Sequence, residues 1–365
     1  MLNNFFASCF DPLLDPLHED DRENDIQSST CPPDYYCTEE EVLELIQSLD
    51  ASKASGPDGI FIRMLKGTAA SIAPSLTMLF NISLRNSRFP NCWKQSSIVP
   101  IPKGSAHDSP NNYRPISLLS VVSKLLERHI HLLLTSHLNH TQPISTQQWG
   151  FQQGKSTVTS LLTVVDDWLK ILESKRDVCA VFFDLTKAFD TVPHRPLMAK
   201  LEETGLNPHL LEWIRSYLTD RQQKVVVGGE ASTEPPVLSG VPQGSVLGPL
   251  LFLVYIDDVT AMHLSTGSIL NLYADDMLLY KAISSQSDYQ SLQDDVDRVQ
   301  EWVNVNYLTL NTSKCKTMVV SRRRSQHVTQ LQLGNDILEQ VDTFKYLGVL
   351  LSSDLTWTPH IESIC

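Results

Sequence analysis

The segment Leu270–Tyr280 reads LNLYADDMLLY: an apolar run, adjacent aspartates, then a second apolar run. That pattern predicts two half-buried strands joined by a tight turn, with Asp275 and Asp276 at its tip. Earlier in the chain, Val178–Leu185 (VCAVFFDL) is a continuous apolar, aromatic and β-branched stretch that stops at Asp184, as a buried central strand would. Carboxylates gathered at neighbouring strand ends can hold two hard divalent ions about 3.5–4 Å apart, an arrangement suited to in-line phosphoryl transfer. Asp184, Asp275 and Asp276 therefore predict a fold in which a central strand and a hairpin lie side by side, and they point to nucleotide polymerisation.

Paired aspartates alone carry little weight, because a solvated acidic face explains most of them. Others stand at Asp166-Asp167, Asp257-Asp258 and Asp294-Asp295, and the string Tyr-x-Asp-Asp recurs at Tyr255–Asp258. The stretch before that second copy, LLFLVYIDDV after Pro249, is long and apolar behind a proline, which reads as a buried helix. Asp257-Asp258 is accordingly assigned to a helix C-terminus, and the metal site to Asp184, Asp275 and Asp276.

A net charge of −13 looks unsuited to nucleic acid, but the charge is graded along the chain. Residues 1–50 hold 1 basic and 13 acidic side chains, residues 51–160 hold 11 basic and 3 acidic, and residues 161–365 hold 17 basic and 26 acidic. The basic block is the expected phosphate-facing region, with a merely solvated basic surface as the competing account. Seven cysteines are scattered without a Cys-x-x-Cys or a His partner at zinc spacing, which fits a reducing intracellular compartment, nucleus or cytoplasm. The start, MLNNFFASCF, lacks a basic n-region and a long apolar core, so no secretory signal is expected, and no apolar run is long enough for a membrane span.

Residues 1–37, rich in Asp, Pro and Ser, read as an acidic linker without fixed order. Residues 38–83 read as a helical extension, opened by a Thr38/Glu41 capping box, with Val42, Leu45, Ile46 and Leu49 on one face. Further on, Ser96–Pro102 and Tyr113–Leu119 read as extended segments around a polar turn carrying Lys103 and Gly104, and Val121–Leu138 as a helix. A strand at Lys224–Val227, an amphipathic helix at Leu292–Tyr307, a strand at Lys316–Ser321 and a hairpin at Phe344–Leu351 complete an irregular mixture. Such mixing predicts an α+β fold with helices against an antiparallel sheet.

In this order, WKQSSIVPIPK, NNYRPISLLSVVSKLLERHI, QWGFQQGKSTVTSLL, FFDLTKAFDTVPH, SGVPQGSVLGPLLF, LYADDMLLY, LNTSKCKTM and KYLGVLLSSDLTW resemble the reverse transcriptases of non-LTR retrotransposons, the LINE elements. The resemblance covers most of residues 84–352. It implies a right-hand polymerase with fingers over about 84–176, a palm over about 177–352 built as an antiparallel sheet backed by helices, and 353–365 as the start of a further region. Because the motifs end close to Cys365, the thumb is expected to be largely absent, and residues 1–50 hold nothing resembling the endonuclease of the family.

The resemblance also distributes roles. Asp184 and Asp275 match the metal-bridging carboxylates, and Asp276, turned the other way by strand alternation, the weaker ligand. Lys103 and Arg114 match the fingers hairpin that grips the incoming triphosphate, Phe189 the bulky position that would collide with a 2′-hydroxyl, and Gln243 and Gly244 the loop beneath template and nucleotide. Lys314 matches the lysine assigned as general acid to the leaving pyrophosphate. Ordinary core packing for Phe189 and a solvated surface for Lys103 and Lys314 are the competing roles. The string Gly154-Lys155-Ser156-Thr157 lacks the first glycine of a phosphate loop, which excludes that reading. The expected partners are an RNA template, a DNA primer or nicked target DNA, dNTPs and two Mg²⁺ ions, with Mn²⁺ as a substitute. The bulky Phe189 disfavours an RNA-directed RNA polymerase, and a catalytically unproductive nucleic-acid-binding remnant is the alternative function.

Overall fold

The computed structural model describes residues 2–8, 10, 17, 31–103, 108–322 and 330–365. In chain order the first elements are α1 (Leu2–Ala7), α2 (Glu39–Gln47), α3 (Ile62–Gly67), α4 (Ala69–Arg85), β1 (Gln95–Pro102), β2 (Tyr113–Leu118) and α5 (Val121–Thr141). There follow α6 (Thr157–Glu173), β3 (Asp177–Phe183), α7 (Ala188–Thr191), α8 (His194–Glu203), α9 (Pro208–Leu218), β4 (Arg221–Val227), β5 (Glu230–Ala231), β6 (Pro236–Val237) and α10 (Leu247–Ile256). The last are β7 (Ser268–Tyr273), β8 (Asp276–Ile283), α11 (Gln286–Val305), β9 (Lys316–Val320), β10 (Gln332–Leu333), β11 (Asp336–Ile337), β12 (Glu339–Gln340), β13 (Thr343–Tyr346), β14 (Val349–Ser352) and α12 (Thr358–Ile364). This is the α+β class expected, and the chain forms two compact units that interleave in sequence. One comprises Met1–Pro143 and Phe189–Tyr255, the other Ile144–Ala188 and Ile256–Cys365. Compactness therefore does not divide the chain at the expected fingers–palm boundary near residue 177.

In the first unit, Thr38 Oγ1 accepts from Glu41 N at 3.2 Å and Glu41 Oε2 accepts from Thr38 N at 2.9 Å, the reciprocal box that starts α2. Val42 and Ile46, one turn apart, are fully buried against neighbouring helices. Aromatic packing fixes α9 in this core: Phe89 meets Trp213 and Tyr217 edge-on, with centroids 5.5 and 5.1 Å away. The sheet has the order β2-β1-β4-β5, with β6 also on β4. Its β1–β2 pair is antiparallel, while β1 and β4 run parallel. The amino terminus departs from the expectation of a linker without fixed order. Over Leu2–Ala7 it is helical, because Phe6 packs on Ile98 and Val225 and Asn3 Nδ2 donates to Thr233 O at 2.8 Å. Residues 11–16, 18–30 and Gly104 lie outside the described residues.

The second unit is built on β3, which is buried at every residue from Asp177 to Phe183. It takes the middle place in the sheet β12-β9-β3-β8-β7. Its pairings with β8 and β9 are antiparallel, as is β7–β8, whereas β12 joins β9 in parallel. Period-2 alternation sends Val178, Ala180 and Phe182 to one face, where Leu161, Val164, Trp168 and Leu172 of α6 close over them. Phe182 also stacks on Phe344 of β13 at 4.0 Å between centroids. The predicted amphipathic helix begins earlier than Leu292: Ser285 and Asp288 form a capping box that starts α11 at Gln286. Leu292, Val296, Val299 and Val303 form its buried stripe.

Candidate active site

Asp184 follows directly on β3, and its main chain is held on both sides. Its carbonyl accepts from Asn311 N at 2.8 Å, its amide donates to Cys315 Sγ at 3.4 Å, and Thr186 N donates to Thr309 O at 2.8 Å. The loop 309–315 is thereby sewn to the end of β3, and it brings Lys314 Nζ to 3.3 Å from Asp184 Oδ2. Both groups keep solvent contact, with 35% of the Asp184 side chain and 64% of that of Lys314 exposed. The neighbouring Cys315 is buried, and desolvation pushes its thiol above the ordinary range.

Tyr273 pairs with Asp276 to close the β7–β8 hairpin over Ala274-Asp275, with Ala274 at φ 56. The register Phe183↔Met277 carries Asp184 to the level of Asp276. Asp276 accordingly lines, with Asp184 and Lys314, a cleft of about 320 Å³ that also receives Lys316 and Lys345. Asp275 sits half-buried in the turn itself. Among the described residues no group of three or more His, Cys, Asp or Glu side chains is gathered tightly enough to hold a metal ion. The carboxylate oxygens of Asp184, Asp275 and Asp276 are nonetheless the donor type that a hard divalent ion takes.

The expected triphosphate and nucleotide residues fall in the first unit. In the β1–β2 hairpin Arg114 stands opposite Ile101. Lys103 continues the ladder, its amide donating to Asn112 O at 2.8 Å and its Nζ to Asn111 O at 3.0 Å. Both side chains are exposed. Phe189 is half-buried and stacks on Phe252 with centroids 4.3 Å apart. The loop carrying Gln243 and Gly244 is fastened by its own backbone: Ser117 N donates to Gln243 O at 3.2 Å, and Val241 N to Phe189 O at 2.8 Å. Gly240 (φ 83) and Gly244 (φ 95) are needed there, since a Cβ would lie 2.6 Å from Asp190 O at the first and 2.7 Å from Ser117 O at the second. The Gln243 amide, expected to face template and nucleotide, donates Nε2–H to Asp190 Oδ1 at 2.6 Å.

Sequence reasoning passed over a buried polar cluster that supports this loop. Glu127, wholly buried on α5, accepts from Val246 N at 2.8 Å, Leu247 N at 3.3 Å and the Tyr217 hydroxyl at 3.3 Å. It thus caps the positive end of α10. Burial pushes its carboxyl up, while these amides and the Arg221 charge pull it down. Arg221 donates to Tyr217 O at 2.8 Å, and His194 Nε2 lies 2.8 Å from Gly240 O. One signal was available: Glu127 falls in line, at helical spacing, with the apolar stripe Ile130, Leu134, Leu138. The second Tyr-x-Asp-Asp is as assigned, just beyond α10. There Asp257 accepts from Ser145 N at 3.0 Å and Asp258 from Trp302 Nε1 at 3.2 Å.

Residues 101–351 match the family model described as reverse transcriptase (RNA-dependent DNA polymerase). The probable RNA-directed DNA polymerase from transposon BS of Drosophila melanogaster is 35% identical over 332 residues, covering 89% of this chain and 36% of the relative. The RNA-directed DNA polymerase from mobile element jockey of the same organism is 32% identical over 334 residues, covering 90% and 36%. The chain thus spans about a third of the length of these curated relatives. Among solved structures, apo telomerase from Candida Tropicalis truncated from its C-terminal domain is similar at a TM-score of 0.48 and 14% identity, covering 79% of this chain and 59% of that one.

Proposed function

The chain belongs to the reverse transcriptase family, and on that premise we propose that it carries the RNA-directed DNA polymerase of a non-LTR retrotransposon. The observation that carries this reading is the convergence of Asp184, from the end of β3, with the Asp275-Asp276 turn, across a strand register that leaves Lys314 beside Asp184. In the proposed reaction the 3′-hydroxyl of a DNA primer or nicked target strand attacks the α-phosphate of a dNTP opposite an RNA template. The new P–O bond forms as the bond to pyrophosphate breaks.

Reverse transcriptases use divalent metal ions, and here Asp184, Asp275 and Asp276 would hold Mg²⁺, or Mn²⁺ in its place. When bound, two such ions would supply charge neutralisation and a more nucleophilic attacking oxygen. The chain's own groups do the rest. Lys314, an ammonium already at the edge of the cleft, is suited to give a proton to the departing pyrophosphate oxygen. Lys103 and Arg114 offer donors to the triphosphate, Phe189 a ring against the sugar, and Gln243 with Gly244 a narrow backbone shelf under the nucleotide. We assign fingers and palm to residues 84–176 and 177–352 as functional regions. No helix among the described residues is long and apolar enough to cross a membrane, and we place the activity inside the cell, in nucleus or cytoplasm.

Primer extension by the purified chain on an RNA template, with Mg²⁺ and dNTPs, is the test. Asp184→Asn and Asp275→Asn should each abolish extension while far-UV circular dichroism stays unchanged. Salt-sensitive binding of primer–template with no extension under any metal would replace this reading with that of a binding remnant.

A further inference from the structure

The segment Ser145–Gly150 has no role in the scheme above, yet it runs along the hairpin that carries Asp275. Trp149 N donates to Leu272 O at 2.8 Å and Leu272 N to Gln147 O at 2.9 Å, which sets Gln148 parallel to Leu272 at the edge of β7. Gln148 is wholly buried. Its Oε1 accepts from Ala274 N at 2.8 Å and from Gly150 N at 2.8 Å, and its Nε2 donates to Ala274 O at 3.4 Å. A single amide side chain therefore holds both main-chain polar groups of Ala274. That residue lies in the left-handed region at φ 56, which an alanine keeps only when its surroundings hold it there. Gly150 makes room for the approach, since a Cβ at that position would collide with the Ala274 amide nitrogen.

The holder is itself held. The Gln148 carbonyl accepts from Lys155 Nζ at 2.6 Å and from Gln152 Nε2 at 2.7 Å, and Asp257 anchors Ser145 N at the start of the segment. Lys155, the lysine of the phosphate-loop look-alike, has its ammonium on protein carbonyls, and Asp257 of the second Tyr-x-Asp-Asp works as an anchor. These residues converge on the turn that aims Asp275.

We propose that Gln148 is a positioning residue for nucleotidyl transfer: by fixing Ala274 in its left-handed conformation it sets the direction of the Asp275 carboxylate. The consequence for rate rests on the polymerase reading, while the geometry does not. Misplacing a reacting group by an ångström costs on the order of a hundredfold in rate. Gln148→Met keeps the side chain's bulk and removes all three of its side-chain hydrogen bonds, two of them to Ala274. It should lower kcat by about tenfold to a hundredfold, raise the Mg²⁺ concentration needed for half-maximal rate, and leave the KM for dNTP within about twofold. Ala274→Gly added to Gln148→Met should recover part of the lost kcat, because glycine adopts positive φ without support.

Amide hydrogen exchange supplies the readout that does not need activity. In the wild-type chain the Ala274 amide should exchange at least about a hundredfold more slowly than in an unstructured peptide. In Gln148→Met it should lose that protection while β3 keeps its own. An unprotected Ala274 amide in the wild type overturns the proposal even if the variant fails to fold. An unchanged kcat in a folded Gln148→Met variant, or a loss confined to KM, overturns it as well. A wild-type chain that never extends a primer sinks the polymerase reading alone, since exchange still reports on the turn.

Discussion

His194 stands at the first position of α8 with 5% of its surface exposed, and its Nε2 lies 2.8 Å from the Gly240 carbonyl. A carbonyl can only accept, so the folded ring carries a proton on Nε2, and burial is what keeps the ring neutral. Desolvation pushes its pKa down from 6.5 to about 4; the bond to Gly240 opposes that shift and the Arg221 charge adds to it. Below pH 6.5 the unfolded chain binds a proton that the folded chain refuses, so stability falls as the pH falls. The slope is about 1.4 kcal/mol per pH unit, and the loss reaches about 3 kcal/mol near pH 4, below which this residue contributes no further change. Carboxylates elsewhere also titrate, so the perturbation is His194→Gln, which still offers an N–H to Gly240 but has no proton to gain. Urea unfolding between pH 4 and 7.5, followed by tryptophan fluorescence, should show the wild type losing about 3 kcal/mol more than the variant over that span. Parallel stability–pH curves for the two chains would refute the argument, for they would mean that the buried ring accepts a charge at no cost. Gly240 opens the loop that carries Gln243, so this stretch should be the first part of its unit to loosen in acid.

Arg114→Ala should raise the KM of all four dNTPs alike by about tenfold, since a lost charge-assisted contact to phosphate carries no base information; steady-state kinetics with each nucleotide would expose a base-selective effect. Phe189→Val should raise ribonucleotide incorporation by about tenfold to a hundredfold, read as the ratio of kcat/KM for dNTP over rNTP. An unchanged ratio in an active enzyme would return the Phe189–Phe252 stack to core packing. Glu127→Ala should cost about 3–5 kcal/mol and Glu127→Gln less than half of that, because the alanine strands the amides of Val246 and Leu247. A measured cost under about 1 kcal/mol for Glu127→Ala would show that the end of α10 finds other partners.

What the sequence made legible is what is written locally. The capping box at Thr38, the apolar run Val178–Phe183 of β3, the strand–turn–strand around Asp275 and the long apolar run of α10 depend on neighbours in the chain, and each stands where periodicity places it. Local pattern also separated the two Tyr-x-Asp-Asp strings, since only one is flanked by strands. Alternation is the ground on which Asp275 and Asp276 are expected to turn apart. It cannot supply the register with β3, which is what brings Asp276 into the cleft with Asp184. The grip of Gln148 on Ala274 spans 126 residues and that of Glu127 on Val246 spans 119, so no window of the sequence contains both partners. The parallel pairing of β1 with β4 was hidden for the same reason. The helix at Leu2–Ala7 was missed because an acidic, proline-rich composition outweighed two phenylalanines that find a surface only in the folded unit.

Because residues 144–188 belong with 256–365 and residues 189–255 with 1–143, neither unit is encoded by one continuous stretch. On the ribosome this imposes a waiting time. Residue 255 must emerge before the first unit is whole, and by then β3 has long been outside the exit tunnel without the strands that flank it. Its first neighbour, β8, begins at Asp276, some ninety residues after Phe183, which at about 5–20 residues per second is roughly 5–20 s of synthesis. Throughout that interval β3, apolar from Val178 to Phe183, is bare on both edges and available to any other nascent chain. Yield during expression should therefore track translation speed, holdase chaperones and temperature more closely than it tracks the stability of the finished fold.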